Sequence, residues 1–316
     1  MLHVLNGDVT ATVFAAAGLP GDVLVWRDIL VEGPLIDEWT EPTALAARAA
    51  FLAERLAIDP KRYLRGVREQ EEGLAGALSH DEVVLWFEQD LFCAVNLWYL
   101  LAWFSRRPAA ARLALVYPPT DAVKGLGLLA PAQLAALFTE RRLVTPHALA
   151  LGRRLWEAYT DADPRGAAAL ADQDNEALPF VREAFQHHCE RFPSVATGLN
   201  EIETATLDTL DRSAKVFGEL FRSVTADPRT RQHGMGDVQF AACVRGLAPL
   251  VSISGADVTA AEVAVTALGR EVLAGRRDWL SVRAIDVWLG GVHLEGDRPR
   301  WRWDGARRRL EEPAAE

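Results

Sequence analysis

Glu82-Val83-Val84-Leu85-Trp86-Phe87-Glu88-Gln89-Asp90 is the stretch on which the fold turns. Five apolar residues run without interruption into a polar cluster, and the strongly apolar segment 91–107 follows at once. A near-continuous apolar run closed by polar residues and followed by a helical pattern predicts a strand of a parallel sheet covered on both faces. Three more runs have the same build. Leu2-His3-Val4-Leu5 closes at Asn6-Gly7-Asp8, Asp22-Val23-Leu24-Val25-Trp26 at Arg27-Asp28, and Arg112-Leu113-Ala114-Leu115-Val116-Tyr117 at Pro118-Pro119. The intervening segments read as helices over 9–17, 42–56, 62–78 and 91–107. Gly18, Pro20 and Pro108 act as stop signals, and Thr40 or Thr43 as a start. Strands alternating with helices predict a doubly wound α/β domain over residues 1–130.

Outward from that domain the pattern changes twice. Residues 131–197 read as a helical extension, with helices over 132–142, 147–160, 164–171 and 178–191 separated by Pro, Asp or Thr. Residues 198–316 read as helices over 201–212, 214–224 and 237–247, with Asn200 as cap of the first. Apolar strands at 250–253 and 262–266 follow, and then a helix over 267–275. Three helices followed by a hairpin is the order of a winged helix. Residues 290–309 predict a short strand pair beside Trp288, Trp301 and Trp303. The alternation Arg300-Trp301-Arg302-Trp303 has the period of two that turns the indoles inward.

Composition narrows the classes. The 316 residues exceed one ordinary core, and 44 acidic against 34 basic side chains give a formal net charge of −10. Such a balance argues against a whole-protein grip on nucleic acid or anionic lipid. Cys93, Cys189 and Cys243 have neither disulfide nor zinc-site spacing. The opening lacks the pattern of a signal peptide, and segment 91–104, interrupted by Asn96, is short for a membrane span. The expectation is a cytoplasmic protein without membrane contact.

Ligands of open α/β sheets bind beyond the carboxyl ends of the strands, near the point where strand order reverses. Here three strand ends are acidic, predicting that Asp8, Asp28 and Asp90 lie along one edge with Arg27 and Glu32 in reach. Asn6, Gly7 and Glu88 belong to the same edge. Clustered carboxylates must be offset by a cation such as Mg²⁺ or Mn²⁺, by Arg27, or by a raised pKa on one of them. The plainer reading makes Asp8 and Asp90 helix caps. The expected ligand is small, polar or phosphorylated, with Arg27 pairing to its anionic group. The alternatives are a metal-dependent hydrolase or nuclease that uses the three aspartates, and a DNA-binding regulator.

Other motifs add little. The glycine-rich dinucleotide and P-loop patterns are missing, as is the GxSxG elbow. His187-His188-Cys189 reads as a partly exposed helix face, because adjacent helical residues do not converge without other ligands. His3 and His293 read as structural. Trp86, Trp98 and Trp103 read as core, whereas Trp26 would line a pocket for a planar ligand. For DNA, helix 237–247 offers little beyond Arg245, with Arg300 and Arg302 as the further cations. The residues from Gly198 onward hold 16 basic against 18 acidic side chains, so there is no positive field. Protein contact is the other use of a winged helix.

The runs His3-Val4-Leu5-Asn6-Gly7-Asp8, Gly18-Leu19-Pro20-Gly21 and Trp26-Arg27-Asp28-Ile29-Leu30-Val31-Glu32-Gly33-Pro34 resemble a bacterial family known as domain of unknown function 1835. Trp86-Phe87-Glu88-Gln89-Asp90-Leu91 matches its pattern too. Gly290-Gly291-Val292-His293-Leu294 and Trp301-Arg302-Trp303-Asp304 follow it more loosely. The resemblance covers most of the chain and departs at Cys93-Ala94-Val95, where more polar residues are expected. It implies the architecture and points to Asn6, Asp8, Arg27, Asp28, Glu32 and Asp90, but it supplies no reaction.

Overall fold

The computed structural model describes residues 1–107, 112–118, 125–171, 177–178 and 180–312. The stop signals Pro108 and Pro119 lie outside the described residues. The expected strands form as β1 (Leu2–Asn6), β2 (Asp22–Trp26), β3 (Glu82–Trp86) and β4 (Arg112–Val116). A two-residue strand, β5 (Arg142–Leu143), joins them antiparallel at one edge. The sheet order is β2-β1-β3-β4-β5, and the first four strands are parallel. Strand order therefore reverses between β1 and β3.

Helices cover both faces. Helix α1 (Asp8–Ala17) lies on one face together with α5 (Pro131–Thr139), over a small core of Leu5, Phe14, Val84, Trp86, Val116 and Leu134. The other face carries the main core, built from α2 (Pro42–Leu56), α3 (Pro60–Gly76), α4 (Leu91–Ser105) and the helices beyond the sheet, α6 (Pro146–Tyr159), α7 (Arg165–Ala171) and α8 (Val181–Cys189). Helix α4 is apolar on nearly every side because it is buried between the sheet and α6, which explains the length of that run. The helical extension thus shares the main core of the α/β domain.

The C-terminal third has its own core around Leu207, Leu220, Phe240, Val244, Val263 and Trp279. Its elements run α9 (Glu201–Arg212), β6 (Lys215–Val216), α10 (Phe217–Ala226), α11 (Asp237–Gly246), β7 (Val251–Ile253), β8 (Glu262–Val265) and α12 (Ala267–Leu273). The strands form an antiparallel sheet in the order β6-β8-β7. Asn200 caps α9 through the amide of Glu203, whose side chain returns the bond to the Asn200 N–H.

Residues 285–311 form two hairpins where one strand pair was expected: β9 (Ile285–Leu289) with β10 (Val292–Gly296), and β11 (Arg302–Asp304) with β12 (Arg309–Glu311). They leave the C-terminal unit and pack on the end of α8, where Leu289, Leu294, Trp301 and Trp303 meet Cys189 and Phe192. The indoles of Trp301 and Trp303 face inward, as the alternation predicted. Gly291 is required at the crossing: its N–H bonds to the Tyr159 carbonyl, and a Cβ would collide with the Thr160 carbonyl. No helix among the described residues is long and apolar enough to cross a membrane.

Candidate functional site

The predicted edge exists, but its carboxylates are dealt with one by one. Asp8 opens α1 and is exposed. Its carboxylate takes a bidentate bond from Arg27, also exposed, with Nε to Oδ2 at 3.0 Å and Nη2 to Oδ1 at 2.8 Å. Hydrogen bonding to that guanidinium holds the Asp8 carboxyl below its ordinary range.

Asp28 points away, into the main core side, and is buried. Its Oδ1 accepts from Nη2 of the fully buried Arg48 at 3.1 Å, and its Oδ2 accepts from the Tyr63 hydroxyl at 3.1 Å. Arg48 also donates to the carbonyls of Ile29 and Glu32, and so pins the loop after β2. Burying an ion pair is sustained only when its remaining donors are satisfied, and Arg48 meets that condition.

Asp90 caps α4 by accepting from the Cys93 N–H at 2.8 Å. Burial raises its pKa in opposition to these amide bonds. Gly234 presses directly on it from the C-terminal third. Its left-handed backbone, φ +66°, and the collision any Cβ would have with Asp90 Oδ1 both demand glycine there. Asp8, Asp28 and Asp90 therefore do not converge as an Mg²⁺ or Mn²⁺ triad. Two carry their own arginine and the third is a cap. Their spacing along the chain was right for a shared edge, but the side chains diverge.

Other expected residues do meet at the reversal point. Asn6 donates Nδ2 to Cys93 Sγ (2.9 Å) and accepts from Asn96 Nδ2 (2.9 Å), which also reaches the Asp28 carbonyl (3.1 Å). Asn96, buried in α4, thus ties β1 to the loop after β2 and was missed because it sits inside an apolar run. Gly7 has φ +91°, and its N–H bonds to the Trp26 carbonyl at 3.0 Å. It leaves the first turn of α1 without a side-chain cap. Glu88 accepts from the Leu126 N–H at 2.8 Å. Burial, and then the neighbouring charge of Asp90, pushes its pKa up to about 7. The Oε1 of Gln89 is buried with no hydrogen-bond partner, as is the Oδ1 of Asn96.

Glu32 belongs to a different contact. Arg191 and Gln239 both donate to its Oε1, at 3.2 and 3.0 Å, joining the α/β domain to α11. Trp26, expected to line a pocket for a planar ligand, is instead buried against Tyr99. Beside β2 runs an open groove of ≈ 740 Å³, lined by Arg27, Tyr63, Arg62, Glu69 and Gln70, with Val238 of α11 at its rim.

The expected nucleic-acid cations are engaged or isolated. Arg302 binds the Ser194 carbonyl and Asp278, Arg300 pairs with Glu312, and Arg245 is an exposed cation near the end of α11. The three-residue run at 187–189 is not a partly exposed face. His188 and Cys189 are buried, whereas His187 is partly buried and meets Glu190 and His233. Burial lowers the His188 pKa to about 3 and that of His233 well below its ordinary value. His3 is structural as expected: Trp86 Nε1 donates to its Nδ1 at 3.0 Å, and Nε2 lies 3.1 Å from the Pro20 carbonyl. No protein-family model and no curated protein matches the chain.

Proposed function

We propose that the chain binds a small polar ligand at the reversal point of its sheet, with Glu88 as the ionisable contact. One observation carries this reading: a partly buried carboxyl whose pKa is raised to about 7 stands beside Asp90 at the carboxyl ends of β1 and β3. Parallel sheets collect ligands at such positions, and a buried acid poised near neutrality is costly to keep without a use. Acceptors stand there in Glu88, Asp90 and the unpartnered Gln89 Oε1. A ligand bearing hydroxyl or amine donors matches it. A phosphorylated ligand would direct its anion to the uncapped first turn of α1 and to Arg27. The resemblance to the domain of unknown function 1835 family is part of the same proposal, since Asn6, Gly7, Asp8 and Asp90 carry it.

In this reading the C-terminal third, whose helix and strand order is that of a winged helix, serves as an internal docking module. Its third helix, α11, lays Ala242 against Leu52 and Leu56 of α2 and Gln239 against Glu32. DNA contact by that helix would require undocking it. A cytoplasmic setting agrees with three free cysteines, Cys93, Cys189 and Cys243. The metal-dependent hydrolase or nuclease has less support, because Arg27 and Arg48 already neutralise two of its three carboxylates.

The test is a thermal-shift screen with polyols, amines, sugar phosphates and nucleotides. Wild-type protein is expected to gain melting temperature with one of these classes, by mass action, and Glu88→Gln to lose the gain. No shift with any class would overturn the reading. So would a shift that survives Glu88→Gln but is lost in Arg62→Ala, which would assign the ligand to the roomier groove beside β2.

A further inference from the structure

The unit formed by His187, Glu190 and His233 has no part in the ligand site. His187 and Glu190 stand three residues apart at the end of α8, so the helix turns both side chains to one face. His187 Nδ1 lies 2.8 Å from Glu190 Oε2. His233 comes from the short turn before α11, 3.7 Å from the same oxygen through Nε2. One ligand atom from each of the three lies within 4.8 Å of the others. Glu190 is held from outside, since Gln186 Nε2 donates to its Oε1 at 2.7 Å.

The second observation concerns His233 itself. Only 4% of it is exposed, and neither ring nitrogen has a hydrogen-bond partner. A buried, unpaired imidazole is costly, and native proteins seldom leave one without a reason. The nearby cation Arg191 is already engaged by Glu32, and Glu201, whose N–H bonds to the Glu190 carbonyl, adds acidic character. The other grouping of metal-type side chains among the described residues, Asp286 with His293 and Glu295, has two exposed carboxylates and no buried orphan atom.

We infer that His187, Glu190 and His233 bind a divalent transition metal of the zinc class. Two imidazoles and one carboxylate are a ligand set this class accepts, leaving a further coordination position for water. Gln186 would be the outer partner that orients the carboxylate. Because α8 belongs to the main core and His233 to the C-terminal third, the ion would fasten the two together. Sequence alone hid the set because its members are split between a helix and a remote turn.

The test uses the full-length protein, treated with a chelator and then titrated with Zn²⁺ or Co²⁺. One ion per chain is expected by calorimetry and elemental analysis, with a rise in melting temperature and, for Co²⁺, visible absorption of a low-coordinate site. His187→Ala and Glu190→Gln change partly buried side chains and keep the core intact; each is expected to weaken binding by at least about tenfold. His293→Ala is expected to leave binding unchanged. Absence of stoichiometric binding overturns the inference. Binding undiminished in both His187→Ala and Glu190→Gln overturns it equally.

Discussion

Glu88 shows how one residue can reveal use through cost. Its carboxyl titrates near 7 in the folded chain against about 4.5 in an unfolded one, so the native state holds the proton more tightly. Between those values the unfolded chain binds fewer protons, and stability falls as pH rises. The full effect is on the order of 3 kcal/mol, with Asp90 sharing part of it. Glu88→Gln is expected to flatten this decline between pH 4.5 and 7 and to raise stability at pH 8, measured by urea unfolding. A steeper or unchanged profile would contradict the assignment. Asp28 is a different case, a buried carboxylate matched by hydrogen bonds from Arg48 and Tyr63. Arg48→Met leaves that charge uncompensated and is expected to destabilise the fold by about 3–5 kcal/mol in chemical denaturation. Pairing it with Asp28→Leu is expected to restore much of the loss, because a well-packed apolar pair avoids the desolvation penalty.

At the scale of elements, local patterning was sufficient wherever a segment's burial matched its own period. The helix over 42–56 was expected with the bounds it has, because Pro42 and the Ala-rich face specify it locally. The helix over 201–212 likewise has its expected bounds, set by the reciprocal bonds of Asn200 and Glu203. The strands β5 and β6 escaped notice because two residues have no period, and only pairing with β4 and β8 makes them strands. The hairpins near the C-terminus were half legible. Alternation showed which way Trp301 and Trp303 face, but whether they pack on the C-terminal helices or on α8 depends on contacts more than a hundred residues apart.

Across the whole molecule, the units are joined by specific polar and apolar contacts. Glu32 receives Arg191 and Gln239, Gly234 lies on Asp90, and Ala242 fills the space between Leu52 and Leu56. A small residue at Ala242 is what lets α11 approach α2. Ala242→Arg is expected to cost about 1–3 kcal/mol by overpacking. It is also expected to raise hydrogen exchange in both α2 and α11 while leaving the strands of the parallel sheet protected. Exchange confined to α11 would mean that the helix is not docked on α2. The acidic edge read from the strand ends was partly present. Asn6, Gly7, Glu88 and Asp90 lie at the reversal point, whereas the carboxylates of Asp8 and Asp28 are turned elsewhere by their arginines.

The chain's own residues determined the four parallel strands, most helix limits and the location of the polar strand ends, because hydrophobic period and capping act over a few positions. Only the tertiary structure decided which charges meet. Asp28 finds its partner 20 residues away, Glu32 its partners 159 and 207 residues away, and His233 approaches a helix end that precedes it by more than 40 residues. Electrostatic and ligand chemistry depends on separations of a few ångströms in space. A one-dimensional pattern fixes such distances only within an element, so packing must supply the rest.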